Sequence, residues 1–66
     1  MRIIVNGIPR PAPEGITVAA LLEEMALAGR RIAVERNGEI VPRSQHPQVP
    51  LADGDRLEIV VAVGGG

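Results

Sequence analysis

The sequence predicts an α+β domain in which a mixed sheet of four to five strands packs on one helix. Three observations carry that expectation. Two β-rich runs at the start are separated only by Asn6-Gly7, the strongest short hairpin signal. Val18, Leu21, Leu22 and Met25 recur at helical spacing. Leu57 to Val63 is the most strongly β-forming run of the chain.

Each element has its own local reason. Residues 2–5 are Arg-Ile-Ile-Val, and the return run 8–12 carries Pro9 and Pro11. Proline cannot donate to a ladder, so the return run belongs at a sheet edge. Glu14-Gly15 is a turn. Thr17 is placed to cap the helix that follows, with Ile16 and Leu21 at the spacing of a hydrophobic staple. The helix is predicted over 18–28, with Gly29 as its C-cap. Arg30 and Arg31 follow where the helix dipole favours cations. Leu27 falls off the apolar face and is expected to pack under a loop.

Residues 32–36 read as a strand closed by Asn37-Gly38, and residues 39–41 as a short strand stopped by Pro42. Residues 42–50 contain three prolines and alternate poorly, so irregular structure is expected there. Asp53-Gly54-Asp55 is a tight turn into the final strand. A right-handed crossover through the helix makes the first and last strands parallel neighbours. This order is the β-grasp arrangement of ubiquitin-like proteins. One domain over 1–63 is expected, followed by a glycine tail over 64–66.

Composition narrows the function. The 66 residues leave no room for a second core. Seven basic and eight acidic residues nearly cancel, which excludes a strong electrostatic grip on nucleic acid or anionic lipid. There is no Phe, Tyr or Trp to stack bases. All seven basic residues are arginine, so no lysine is present for Schiff-base chemistry. Without cysteine, and with His46 the sole histidine, a disulfide or a zinc cage is not expected. No run approaches the roughly 20 apolar residues that span a bilayer. The apolar start is too short for an export signal, so a cytoplasmic protein is expected.

The side chains offer little chemistry. Ser44 and His46 are two residues apart, but they lack a local orienting carboxylate and read as a solvated loop. Asp53 and Asp55 without further oxygen ligands read as a turn, not a calcium loop. The terminal Gly64-Gly65-Gly66 is different, because nothing in the fold demands glycine there. A frayed tail would account for it. So would function: three glycines span at most about 10 Å and can thread a narrow channel into another protein's active site. The Gly66 carboxylate is ionised at neutral pH and a poor electrophile. An acyl-adenylate would activate it, and sulfur could then attack a carbon with no Cβ beside it.

Over its full length the sequence resembles the ThiS family, the sulfur carriers of thiamine biosynthesis. The residues that carry the likeness begin with Ile3-Ile4-Val5-Asn6-Gly7, then Thr17-Val18 and Leu21-Leu22. Ala33-Val34 and the block Asn37-Gly38-Glu39-Ile40-Val41-Pro42-Arg43 follow. Leu51 through Ile59 then runs on towards the glycines. The family commonly ends in two glycines and often carries aromatics; this chain has three glycines and no aromatic.

The resemblance implies a carrier rather than an enzyme, with no cofactor of its own. An adenylating enzyme related to ubiquitin activators would activate Gly66 with Mg-ATP, and Gly64 and Gly65 would thread the tail. Sulfur from a cysteine-derived persulfide would give a thiocarboxylate, which thiazole synthase would accept. The pleat sets Ile3, Val5, Leu57, Ile59 and Val61 towards the helix and Arg2, Ile4, Glu58, Val60 and Ala62 away from it. Ile4, Val60 and Ala62 are therefore the expected partner surface. The alternatives are a sulfur carrier for molybdopterin or tRNA thiolation, a protein-conjugating modifier, and a β-grasp interaction module without tail chemistry.

Overall fold

Two strands, β1 (Arg2–Val5) and β2 (Ile8–Pro11), form the opening hairpin, with Ile4 opposite Pro9. The helix α1 spans Val18–Glu24. Then come β3 (Ile32–Arg36), β4 (Glu39–Ile40), a 3-10 helix over Arg43–Gln48, and β5 (Arg56–Val61). The computed structural model describes residues 1–62.

The five strands form one mixed sheet in the order β2-β1-β5-β3-β4. β5 runs parallel to β1 and antiparallel to β3. The proline-bearing β2 lies at an edge, as its missing donors require. Both Asn-Gly pairs close hairpins with positive φ at each residue, +50° and +81° at Asn6-Gly7 and +51° and +87° at Asn37-Gly38.

The sheet alternates as the sequence predicts. Ile3, Val5, Val34, Leu57 and Ile59 are buried on one face, against Val18, Leu21 and Leu22 of α1. Ile16, Val41 and Leu51 close the core from loops. Arg2, Glu58, Val60 and Ala62 are exposed on the other face, where Ile4 is half-buried. Thr17 caps α1, its Oγ1 accepting from the Ala20 amide at 3.1 Å.

The helix stops four residues before the predicted end. Ala26, not Gly29, takes the left-handed position at φ +59°. The Leu27 amide donates to Leu22 O at 2.8 Å and the Ala26 amide to Glu23 O at 3.0 Å. That pair of bonds is a Schellman termination. It turns Leu27 back onto the core, where its side chain is half-buried. Gly29 sits instead in a separate turn closed by Arg30 N to Leu27 O at 3.0 Å. Arg30 and Arg31 are consequently too far from the end of α1 to complement its dipole.

The segment 42–50 is more regular than its prolines suggest. Pro42 opens the 3-10 helix and accepts from the Gln45 amide at 2.9 Å. His46 does not belong to a solvated loop: it is buried, its Nε2 3.1 Å from Val41 O. Ser44 is exposed, so the two residues do not form a pair. Strand β4 is one residue shorter than expected, but the Val41 amide still donates to Val34 O at 2.9 Å.

Candidate functional site

The last strand is fastened most heavily where it begins. Asp55 is 6% exposed and its carboxylate accepts three hydrogen bonds. Arg36 Nε and the Ala52 amide each donate to Oδ2 at 2.8 Å, and Asn37 Nδ2 donates to Oδ1 at 3.0 Å. Burial by itself raises the Asp55 pKa. The bonds from Ala52, Asn37 and Arg36, with the guanidinium charge, outweigh it and hold the carboxyl below its ordinary value. Asn37 Oδ1 also accepts from the Arg56 amide at 2.9 Å. On the β1 side, Gly54 N donates to Arg2 O at 2.8 Å, Ile4 N to Asp55 O at 2.9 Å, and Arg2 N to Asp53 Oδ1 at 2.9 Å.

Further along β5 the fastening thins on one edge. Pairing with β3 runs on to Val61, and Ala62 N still donates to Arg31 O at 2.8 Å. Pairing with β1 ends at Leu57, whose carbonyl accepts from Asn6 N at 2.8 Å. The Asn6 side chain then substitutes for a strand residue. Its Nδ2 donates to Ile59 O at 3.0 Å and its Oδ1 accepts from Ile59 N at 2.7 Å.

Val60 on the outer face of β5 and Ala62 just beyond its end are both exposed, Val60 to 63%. Ala33 lies directly opposite Val60 on β3 and is also exposed. Ile4 is on the same face but pairs with Arg56, about 13 Å from Val60 along the strand. The structure therefore joins Val60 and Ala62 with Ala33 and sets Ile4 apart, with Glu58 between. Glu58 faces Glu35 across the β5–β3 pair. Val63, Gly64, Gly65 and Gly66 lie outside the described residues, and with them the expected boundary between domain and tail.

Among the described residues no group of three or more His, Asp or Glu could hold a metal ion. None of their helices is long and apolar enough to cross a membrane. The arrangement offers a strand with a fixed root, a small apolar outer strip near residue 62, and glycines after it. The spelling around Asn6, Asn37 and Asp55 signals turns and carries no sign of their side-chain roles. The Asp-Gly-Asp spelling was the one local signal for Asp55.

The ThiS family model matches residues 3–66. The chain belongs to the ThiS family. The sulfur carrier protein ThiS of Thermus thermophilus is 42% identical over 62 residues, covering 94% of this chain and 95% of that one. The crystal structure of the thiamine biosynthesis protein ThiS from Geobacter metallireducens superposes with a TM-score of 0.85 at 33% identity, covering all of both chains. Residues 1–66 thus have the ubiquitin-like β-grasp fold of that family. A thiazole synthase of Paramagnetospirillum magneticum is 50% identical over all 66 residues, and one of Magnetococcus marinus 39%. This chain spans 20% of the length of each of those two relatives.

Proposed function

We propose that Gly66 carries the sulfur, as a C-terminal thiocarboxylate, and delivers it for building the thiazole of thiamine. The carrying observation is the family match through residue 66, joined to a strand that is fastened at Asp55 and held on the β3 side as far as Ala62. In this reading the Gly66 carboxylate attacks the α-phosphorus of Mg-ATP in an adenylating enzyme and pyrophosphate leaves. A persulfide sulfur then attacks the acyl carbon and AMP leaves, giving an acyl disulfide; a thiol attacks the donor's own sulfur in that bond, forming a disulfide with the donor and releasing the Gly66 thiocarboxylate. The glycines bring a carboxylate with no Cβ behind it into the partner's channel. In this reading the ATP site and the catalyst belong to the adenylating enzyme, and the reaction belongs to the cytoplasm, where ATP is supplied.

Thiazole synthase is the proposed acceptor. Two relatives bearing that name contain a stretch that matches this whole chain, which supports the choice over molybdopterin or tRNA thiolation. The docking strip is Val60 and Ala62 with Ala33, and Ile4 at the far end of the same face.

Pyrophosphate exchange tests the first step. The 66-residue chain, a matched adenylating enzyme and Mg-ATP should exchange labelled pyrophosphate into ATP, and a chain lacking Gly65 and Gly66 should not. Equal exchange by both chains would remove the tail from the reaction and leave a plain interaction module.

A further inference from the structure

The chain contains two asparagines, and both open Asn-Gly turns that flank β5. Their backbones match: φ is +50° at Asn6 and +51° at Asn37, each followed by a glycine of positive φ. Each side chain makes two hydrogen bonds. Asn37 spends its pair at the root, on Asp55 and the Arg56 amide. Asn6 spends both on the backbone of Ile59, from the opposite edge. Glycine would serve the turn conformation at either position as well as asparagine does. The turn by itself therefore does not account for the amide at residue 6.

The register shows what that amide does. Residues 57 and 59 of β5 aim their N–H and C=O groups at the β1 edge, since residues 56 and 62 bond to Asn37 and Arg31 on the β3 side. The chain leaves β1 at Asn6 and turns away, so no strand residue remains to meet Ile59. The asparagine amide, one donor and one acceptor side by side, completes that rung. Among the described residues it is the last contact on this edge, seven positions before Gly66.

We infer that Asn6 is a positioning residue for the tail: its side chain holds β5 on the open edge at Ile59 and so sets the direction in which the chain leaves the sheet towards Gly66. A strand held on two edges resists bending away from the sheet; one with two unpaired backbone groups hydrates and frays there. Reaction at a threaded terminus depends on how well it is aimed before it enters. This inference rests on the proposed adenylation of Gly66.

The paired variants Asn6→Gly and Asn37→Gly test it. Both keep the turn, and both lose two hydrogen bonds to the β5 region. Amide exchange by NMR and adenylation kinetics with the adenylating enzyme are measured on each, below the melting range of either. Asn6→Gly should speed exchange of the Ile59 amide and lower kcat/KM for the carrier, each by about tenfold, in line with two lost hydrogen bonds. Asn37→Gly should lower thermal stability yet stay within about twofold of the unaltered chain in kcat/KM. Asn6→Asp keeps the acceptor but sets a carboxylate oxygen against Ile59 O, and should be at least as impaired as the glycine variant.

Unaltered kinetics in Asn6→Gly, or equal loss in both glycine variants, would overturn the inference. If the unaltered chain is not adenylated, the proposed function fails first. The Ile59 exchange rates then decide by themselves whether Asn6 holds the strand, and unchanged exchange refutes it.

Discussion

The two ends of β5 differ in what holds them. At its root, Asp55 and Arg56 bond to Ala52, Arg36 and Asn37 on one side, while Asp53, Gly54 and Asp55 bond to β1 on the other. At its far end, β3 alone supplies a strand, and one asparagine side chain covers the opposite edge at Ile59. On the proposed reading the root must not shift while a partner engages the terminus, and Asn6 must keep the far end aimed. On that reading stability rests on the root and transfer on the far end, so the two are expected to respond separately to substitution.

The largest effect is expected at the root. Asp55→Ala strands the half-buried Arg36 guanidinium and leaves the Ala52 amide and Asn37 without their acceptor. It should cost about 2–3 kcal/mol of folding stability, read from denaturant unfolding. Adenylation, measured well below melting, should persist. Loss of adenylation in a folded Asp55→Ala chain would erase the division between root and exit.

Acid provides the same test without mutation. The folded pKa of Asp55 is lowered from 3.8. Its contribution is therefore fully present above the unfolded value and is lost as pH falls through the folded value. Unfolding free energy should decline on acidification below about pH 5, and the decline should be shallower in Asp55→Asn. Identical acid slopes in both chains would show that Asp55 is not the group responsible.

At the exit the pattern should invert. Val60→Glu changes an exposed side chain and should alter stability by no more than about 0.5 kcal/mol. Adenylation should nevertheless fall, because a charge would be buried against the partner beside Glu58 and Glu35. Normal adenylation by the variant would remove the outer strip from docking. Ala26→Gly should have the smallest effect on transfer. It relieves a non-glycine residue at φ +59° and should stabilise the chain by about 0.5–1 kcal/mol, with transfer unchanged. A gain in stability accompanied by a change in transfer rate would show that the two properties are not separable.

Much of this division was legible in the sequence, but unevenly. The alternation of Leu57, Glu58, Ile59 and Val60 fixed both faces of β5, and Asn6-Gly7 and Asn37-Gly38 fixed the hairpins, because these signals are local. The helix end was misplaced because Ala26 takes the conformation usually left to glycine. What stops the helix is Leu27 returning to the core, a tertiary contact that outweighs the cost of a left-handed alanine. His46 was read as solvated for a related reason: the 3-10 helix that buries it packs against α1, which its prolines do not announce. The family was readable from the likeness, and the model match through residue 66 bears it out. Asn6 and Asp55 were not, since their partners lie 53 residues away at Ile59 and 19 residues away at Arg36. A turn-forming spelling hides a side chain that serves a distant strand.

The central claim is that sulfur travels on Gly66, and the mass of one peptide tests it most directly. Protein purified from cells making thiamine is cleaved after Arg56, and the peptide Leu57–Gly66 is weighed. It contains no methionine, so an oxidised Met1 or Met25 cannot imitate the result. A form heavier by the difference between sulfur and oxygen, ending at Gly66, is the expected result. A peptide that stays unmodified, even after incubation with the matched adenylating enzyme, Mg-ATP and a persulfide donor, would contradict the account.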